Sequence, residues 1–192
     1  MARGTLDECR YRNYMIQDYL YLTDYIYILE RLRELADDAT LKDFIRFVIV
    51  QTKKETTQVH VPHMRALGIS EEDVARCPKA CEIVDYIEYM LREAEEEGVL
   101  AGLTAQLQCS WVYAYIAQRM TAKYADEIAA SPYKGWFDAY TCEDYVAANQ
   151  EWIDVLDARA EGLSDGEVEK LCEVFRTCAA YENRLWDALC NV

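Results

Sequence analysis

The stretch that decides the fold runs from Glu8 to Leu35, ECRYRNYMIQDYLYLTDYIYILERLREL, and contains neither glycine nor proline. Five of its residues follow one another at steps of four, three, four and three: Tyr14, Asp18, Tyr21, Tyr25 and Ile28. That spacing is the period of an α-helix, so these side chains share one face. The stretch therefore predicts one long helix whose apolar, inward face carries the carboxylate of Asp18.

The same helical period continues along the chain. Glycine and proline are scarce, at 7 and 3 of 192 residues, and no internal repeat or linker interrupts the pattern. Helices are predicted over residues 8–35, 41–67, 79–97, 100–129, 142–161 and 165–189. A chain of this length suits one large domain with a continuous core. The fold class predicted for residues 1–192 is therefore a single all-α domain.

Local signals mark several helix ends. Ser70 with Asp73, and Ser164 with Glu167, have the spacing of a capping box. Glycines at positions 68 and 98 suit C-terminal caps. Pro62 falls inside the second helical pattern, where it should kink the helix because it removes a backbone donor and clashes with the preceding turn.

The composition narrows the class of partner. The chain has 20 Lys and Arg against 35 Asp and Glu, a net charge of −15, and no basic stripe along a predicted helix, so nucleic acid is not expected to bind. The N-terminus lacks the apolar core of a signal peptide, and no window of about 18 uninterrupted apolar residues occurs. We therefore expect a cytoplasmic protein without a membrane partner.

The sequence does not favour a metal site or a disulfide framework. Its 8 cysteines are irregularly spaced, without a Cys-x2-Cys pair, so reduced thiols are expected. The histidines are His60 and His63, and Thr57 stands where a Glu-x-x-His di-iron motif would need its glutamate. We expect no metal.

Two further predicted helices place a polar group inside an apolar stripe. In the fourth, Cys109 shares a face with Val112 and Tyr113. In the last, Glu182 shares a face with Leu185. The inward carboxylate of the first helix, this thiol and this second carboxylate could line one pocket, although periodicity leaves open whether the three helices face one another.

Each of these groups also has an ordinary structural explanation. A cysteine on an apolar stripe is usually a small core residue, as Cys109 would then be. A buried carboxylate is costly unless it is paired, protonated or functional, and an ion pair with Arg12 or Arg184 would satisfy it. The 15 tyrosines can be core filler, although a buried hydroxyl needs a polar partner.

An ordered set of motifs resembles the TenA (thiaminase II) family. Gly4-Thr5-Leu6 is similar to the family's Gly-Thr-Leu turn, and Tyr14–Leu22 to its Tyr-x-x-Gln-Asp-x-x-Tyr-Leu segment. Asp85–Met90 resembles the family's pocket-tyrosine helix, and Cys109–Tyr113 resembles its nucleophile segment. Tyr133–Tyr140 resembles its Tyr-x-x-Trp-x-x-x-Tyr element, and Tyr181–Trp186 resembles the segment with the catalytic glutamate. The resemblance thus covers nearly the whole chain.

The resemblance implies a helical bundle like that of haem oxygenase, usually a homotetramer, and a hydrolase that needs no cofactor. Family members release 4-amino-5-hydroxymethyl-2-methylpyrimidine from aminomethylpyrimidine or from thiamin in thiamin salvage. It implies that Cys109 adds to the pyrimidine ring as nucleophile while Glu182 acts as acid and base. The substrate-binding residues that it implies are Asp18, Tyr21, Tyr86, Tyr113 and Tyr140.

Three departures from the family pattern bear on the site, and one of them is Leu185, where the family often has an aromatic residue. This chain begins almost at the Gly-Thr-Leu turn, where family members have one further helix, so we expect an apolar groove that a neighbouring subunit covers. Thr56 stands near where a glutamate is common in the family.

Two rival functions remain. One is a non-catalytic member that binds a pyrimidine or regulates through a partner, because a fold alone does not dictate chemistry. The other is a haem- or metal-dependent oxidase on the same fold, which the paucity of histidines disfavours. Against the first stands the joint presence of Cys109 and Glu182, which binding alone would not require.

Overall fold

A computed structural model describes residues 1–190, and within that range the chain folds as helices without a strand. The α-helices are α1 (Glu8–Leu35), α2 (Ala39–Glu55), α3 (Val61–Ala66), α4 (Glu71–Arg76), α5 (Cys81–Arg92), α6 (Val99–Lys123), α7 (Ala125–Ala130), α8 (Lys134–Thr141), α9 (Glu143–Ala160) and α10 (Asp165–Cys190). Two π-helical turns, π1 (Thr56–His60) and π2 (Glu93–Glu97), continue α2 and α5. The all-α prediction is confirmed. No helix in the described range is both long and apolar enough to cross a membrane.

The largest differences between the predicted helices and the structure are one early helix end and two short helices that were not predicted. The predicted helix 100–129 ends at Lys123, because Tyr124 leaves the helical conformation at φ −133° before α7 begins. The sequence pattern does not predict α4 or α8, since helices of 6 and 8 residues are too short to display a period. The capping boxes at Ser70 and Ser164 are both present.

Pro62 changes the helical hydrogen-bond register instead of ending the helix. Immediately before it, the N–H of Val61 bonds to the carbonyl of Thr56, five residues back, which defines the π1 turn. Pro62 then lies in the first turn of α3, where its missing N–H costs nothing. At the position of the kink predicted from the proline, the structure has a π-helical turn, in which the hydrogen bond spans five residues instead of four.

The central helix of the fold is α6, and α1, α5, α8, α9 and α10 pack around it. Its first half is buried without interruption from Ala101 to Cys109. A helix surrounded in this way presents side chains to several neighbours at once. Its arrangement therefore brings the inward faces of α1 and α10 against the turn of α6 that carries Cys109.

Helix α6 crosses π2 closely at Gly102. A Cβ there would lie 2.5 Å from Leu32 Cδ2 and 3.0 Å from the backbone Cα of Ala94. We expect Gly102→Ala to lower the free energy of unfolding by about 1–3 kcal/mol, because overpacking a dense core forces backbone shifts. Urea unfolding followed by circular dichroism measures this change.

The matched control is Gly166→Ala in the first turn of α10, where an added Cβ meets nothing within 4 Å. That change should be neutral or slightly stabilising, because alanine restricts the unfolded chain. Equal losses in both variants would contradict the packing explanation.

A cavity of about 310 Å³, lined almost wholly by apolar groups, lies beside the N-terminal end of α1. Its wall includes Leu6, Tyr14, Met120, Trp136 and Trp186. The groove that is expected from the position of the Gly-Thr-Leu turn stays a prediction. Its cover by a neighbouring subunit of a homotetramer stays a prediction.

Candidate active site

A cavity of about 680 Å³ opens between α1, α2, α6, α8 and α9. Its volume is that of a small-molecule site. Four of the seven residues that the sequence predicts for the site line it: Asp18, Cys109, Tyr113 and Tyr140. The three predicted polar groups are buried as expected, with exposed fractions of 5% for Asp18, 8% for Cys109 and 4% for Glu182.

Asp18 is held by three hydrogen-bonding neighbours. Its Oδ2 lies 2.6 Å from His60 Nε2 and accepts from the Tyr14 hydroxyl at 3.1 Å, while Oδ1 accepts from Tyr113 at 3.5 Å. Trp136 Nε1 donates to the Tyr14 hydroxyl at 2.9 Å and so fixes that tyrosine. The carboxylate is therefore preorganised at the cavity wall.

His60 is the ionic partner of Asp18. Burial alone would lower the pKa of His60, which is 2% exposed, but the hydrogen bond and the charge of Asp18 raise that pKa above its usual value. The raised pKa favours the imidazolium, which supports the ionised carboxylate. Within residues 1–190 neither Arg12 nor Arg184 pairs with Asp18 or with the second buried carboxylate, so the arginine ion pair that the sequence left open as an alternative is not formed there.

Cys109 is a neutral thiol in the resting protein. Burial raises its pKa well above the usual value, and the charge of Glu182 raises it further, whereas a hydrogen bond with Tyr21 opposes the shift. A thiolate is the nucleophilic form of cysteine. Cys109 can therefore attack only if a nearby base takes its proton during the reaction.

Glu182 is suited to take that proton. Burial raises its pKa to about 7, although hydrogen bonds with Trp186, Tyr86 and Cys109 work against the rise. Its Oε1 accepts from Trp186 Nε1 at 2.9 Å. In the described part of the chain Oε2 makes no hydrogen bond of ordinary geometry, which leaves it available for a proton. A carboxyl group with a pKa near 7 both accepts and donates protons at neutral pH.

Tyr21 and Tyr86 lie behind the cavity instead of on its surface. They are 1% and 0% exposed, their rings stack at a centroid distance of 5.7 Å, and neither contributes to the cavity wall. The Tyr86 hydroxyl donates to Gln108 Oε1 at 2.9 Å. The two tyrosines lie beside Cys109 and beside Glu182, and Glu182 also lies behind the cavity wall. Contact of these tyrosines with a substrate stays a prediction.

Glu55 is a carboxylate of the cavity that the sequence reasoning missed. It is the last residue of α2, lines the cavity, and its Oε1 accepts from the Tyr140 hydroxyl at 2.9 Å. The resemblance leads to the expectation of a glutamate near position 56, and Glu55 is the residue beside that position.

The π1 turn explains why Glu55 and His60 reach the same cavity region. Residues five apart diverge by about 140° on a regular α-helix. A π-helical turn is wider, so it brings such residues back towards one side, and the charge of Glu55 contributes to the raised pKa of His60. The π-helical hydrogen bonding before Pro62 thus places His60 beside Asp18, and helical periodicity in the sequence does not predict it.

Helix α9 supplies a further wall that the sequence did not predict. Tyr145 lines the cavity, and its hydroxyl donates to the Ser110 carbonyl at 3.2 Å, next to Cys109. The Cys142 side chain, at the start of the same helix, also lines the cavity. Among residues 1–190 no group of three or more His, Cys, Asp and Glu side chains could hold a metal ion.

The comparison with protein families gives one description for the whole chain. The model of the TENA/THI-4/PQQC family matches residues 1–192. An "Aminopyrimidine aminohydrolase" of Halalkalibacterium halodurans is 30% identical over 191 residues, covering 98% of this chain and 84% of the relative. A protein of the same name in Helicobacter pylori is 28% identical over 188 residues, covering 97% and 86%.

Solved structures share the fold. A TenA family protein of Silicibacter superposes with a TM-score of 0.87 at 24% identity, covering 98% of this chain and 85% of that one. A TenA homologue of Pyrococcus furiosus superposes with the same TM-score at 21% identity, covering 98% and 87%. At these identities the likeness shows the arrangement of helices, and the chemistry must be argued from the site.

Proposed function

The chain belongs to the TENA/THI-4/PQQC family, and from that premise we propose that it is an aminopyrimidine aminohydrolase of thiamin salvage. The proposed reaction releases hydroxymethylpyrimidine from aminomethylpyrimidine or thiamin. The observation that carries the proposal is the buried pair of Cys109 and Glu182 at a cavity of small-molecule size. A binding site alone would need neither a thiol nor a carboxyl group with a pKa of about 7.

The proposed chemistry begins with proton transfer. Glu182 takes the thiol proton of Cys109 and delivers it to a ring nitrogen while sulfur bonds to the ring carbon beside the one that carries the aminomethyl group. The sum of these transfers is addition of S–H across a ring C=N bond, which ends the aromaticity of the ring. Glu182 then removes the proton from the ring nitrogen, and the electron pair of that N–H bond moves through the ring to form an exocyclic C=C bond. The bond between the methylene carbon and the amine breaks in the same step, and the amine leaves.

The second half of the reaction reverses the first. Water adds to the exocyclic methylene left by the amine, Glu182 again protonates the ring nitrogen, and the Glu182 carboxylate then takes the proton that the added water gives up. Loss of the Cys109 sulfur with the proton of the ring nitrogen restores the aromatic ring and the thiol. Cys109 lines the cavity and Glu182 does not, so Glu182 would transfer protons in these steps from its position behind the thiol.

Asp18 is proposed to bind the ring. Its carboxylate already accepts from His60, Tyr14 and Tyr113, yet each oxygen retains lone pairs for the amino group of a pyrimidine. Tyr113 and Tyr140, which line the cavity with their rings 4.9 Å apart, would position the substrate.

The decisive test is product formation. The purified chain is incubated separately with thiamin, aminomethylpyrimidine and N-formylaminomethylpyrimidine, and hydroxymethylpyrimidine is measured by mass spectrometry. Release of that product from at least one compound is expected. Binding of all three without product would favour the non-catalytic, pyrimidine-binding alternative.

Asp18→Asn should raise KM about tenfold or more, because a neutral amide replaces a charged acceptor facing the ring. The matched control is Asp24→Asn on the same helix, which removes a carboxylate paired with Lys79 outside the cavity. Steady-state kinetics should show a changed KM in the first variant only. A loss of stability in Asp18→Asn with unchanged kinetics would assign Asp18 to a structural ion pair with His60.

A further inference from the structure

We propose that Glu55 and Tyr140 form the subsite for the leaving group, and that this subsite selects substrates whose leaving group is cationic. The inference rests on the proposed function, because it names the substrate class of the same cavity. It distinguishes aminomethylpyrimidine, whose side chain is an ammonium ion at neutral pH, from its neutral N-formyl derivative.

The first support is the position of the Glu55 carboxylate. Glu55 lines the cavity and receives one hydrogen bond, from the Tyr140 hydroxyl to Oε1 at 2.9 Å. None of the ion pairs within residues 1–190 includes Glu55. Glu55 therefore faces the cavity without an ion pair of its own in this range, whereas Asp18 lies 2.6 Å from His60, whose charge also reaches Glu55.

The second support is the charge of the cavity wall. Besides Asp18 and Glu55, the lining carboxylates are Asp144 and Glu151 on α9, and Lys54 is the one lining residue of the described chain with a basic side chain. A concave wall with an excess of one sign concentrates ligands of the opposite sign. The mouth of the cavity thus favours cationic groups over neutral ones.

The third support is the match between neighbouring carboxylates and neighbouring substituents. Asp18 and Glu55 are close enough for the charge of Asp18 to raise the pKa of Glu55, which burial raises first and His60 opposes. An aminomethylpyrimidine carries its ring amino group and its aminomethyl group on adjacent ring carbons. With the amino group at Asp18, a ring turned towards Tyr140 would bring its aminomethyl group to Glu55.

A cationic leaving group also fits the electron balance of the elimination. When the C–N bond breaks, its electron pair stays on nitrogen, so an ammonium ion departs as neutral ammonia and a thiazolium as neutral thiazole. A carboxylate beside the ammonium ion stabilises that protonated form before bond cleavage. A neutral formamide gains no such interaction.

The test compares two substrates in one variant. In Glu55→Gln we expect the ratio of kcat/KM for aminomethylpyrimidine to that for the N-formyl derivative to fall about 10- to 100-fold, the range of a charge-assisted hydrogen bond. Glu55→Asp keeps the charge and should keep the wild-type ratio. Taking the ratio removes any loss that is common to both substrates, including a loss of folded protein.

The matched control is Glu93→Gln, which removes a half-buried carboxylate from the other π-helical turn, away from the cavity. Its ratio should equal that of the wild type. An unchanged ratio in Glu55→Gln with normal wild-type turnover would overturn the subsite alone, as would an equal fall in Glu55→Asp. Turnover of only the N-formyl derivative by the wild type would also overturn the subsite alone, and turnover of neither compound nor of thiamin would overturn the subsite and the proposed function together.

Discussion

Cys109→Ser is expected to lower kcat for aminomethylpyrimidine by roughly 10³-fold or more while the helical circular dichroism spectrum stays that of the wild type. Loss of a nucleophile removes the covalent route and leaves only binding and electrostatic effects. Serine keeps nearly the same volume at a buried position, so the packing around α6 is preserved. Substrate binding, measured by calorimetry, should remain within a few-fold of the wild type.

The matched control for this prediction is Cys142→Ser. Cys142 is a second thiol on the wall of the same cavity, but it is exposed and lies at the start of α9. Its replacement should leave kcat unchanged, because its exposed thiol donates to the backbone carbonyl of Ala139 and is not placed beside Glu182 as Cys109 is. Near-normal turnover in Cys109→Ser, or a comparable loss in Cys142→Ser, would reject Cys109 as the nucleophile.

Glu182→Gln is expected to lower kcat by about 10²–10⁴-fold, the usual contribution of general acid–base catalysis. Glutamine fills the same space but carries no transferable proton, so KM should change far less than kcat. The same substitution should stabilise the folded protein above neutral pH. Thermal unfolding of both proteins across a pH series measures the second effect.

The sign of that stability change follows from the shifted pKa. Glu182 has a pKa of about 7 in the fold against an ordinary value of 4.5, so the folded state holds its proton where the unfolded chain has released it. The free energy of unfolding therefore falls as the pH rises from about 4.5 to 7, by roughly 3 kcal/mol at most. Glutamine does not ionise, so its variant should lack this loss.

A stability difference between Glu182→Gln and the wild type that is the same at pH 4 and pH 8 would contradict the raised pKa. A strong fall in kcat with no such pH dependence would mean that Glu182 acts on the reaction without holding a proton near neutrality. The two measurements therefore separate proton transfer from electrostatic support.

The sequence by itself determined the helical class and the inward direction of three polar groups. Both follow from local geometry: the absence of glycine and proline over residues 8–35 permits one helix, and the 3.6-residue period puts Asp18 on its apolar face. Cys109 and Glu182 point inward for the same reason. The sequence also predicted the helix ends at Gly68 and Gly98, because the positive φ angles found there, 67° and 97°, favour glycine.

Only the tertiary structure decided which of these groups contact one another and which other residues line the site. The partner of Asp18 is His60 and not an arginine, and Glu55 joins the cavity, because the π1 turn shifts the face of the helix by one residue. Such a shift leaves no mark in a regular helical period. The raised pKa of Glu182 likewise comes from burial between helices far apart in sequence, and a periodic pattern carries no information on that distance.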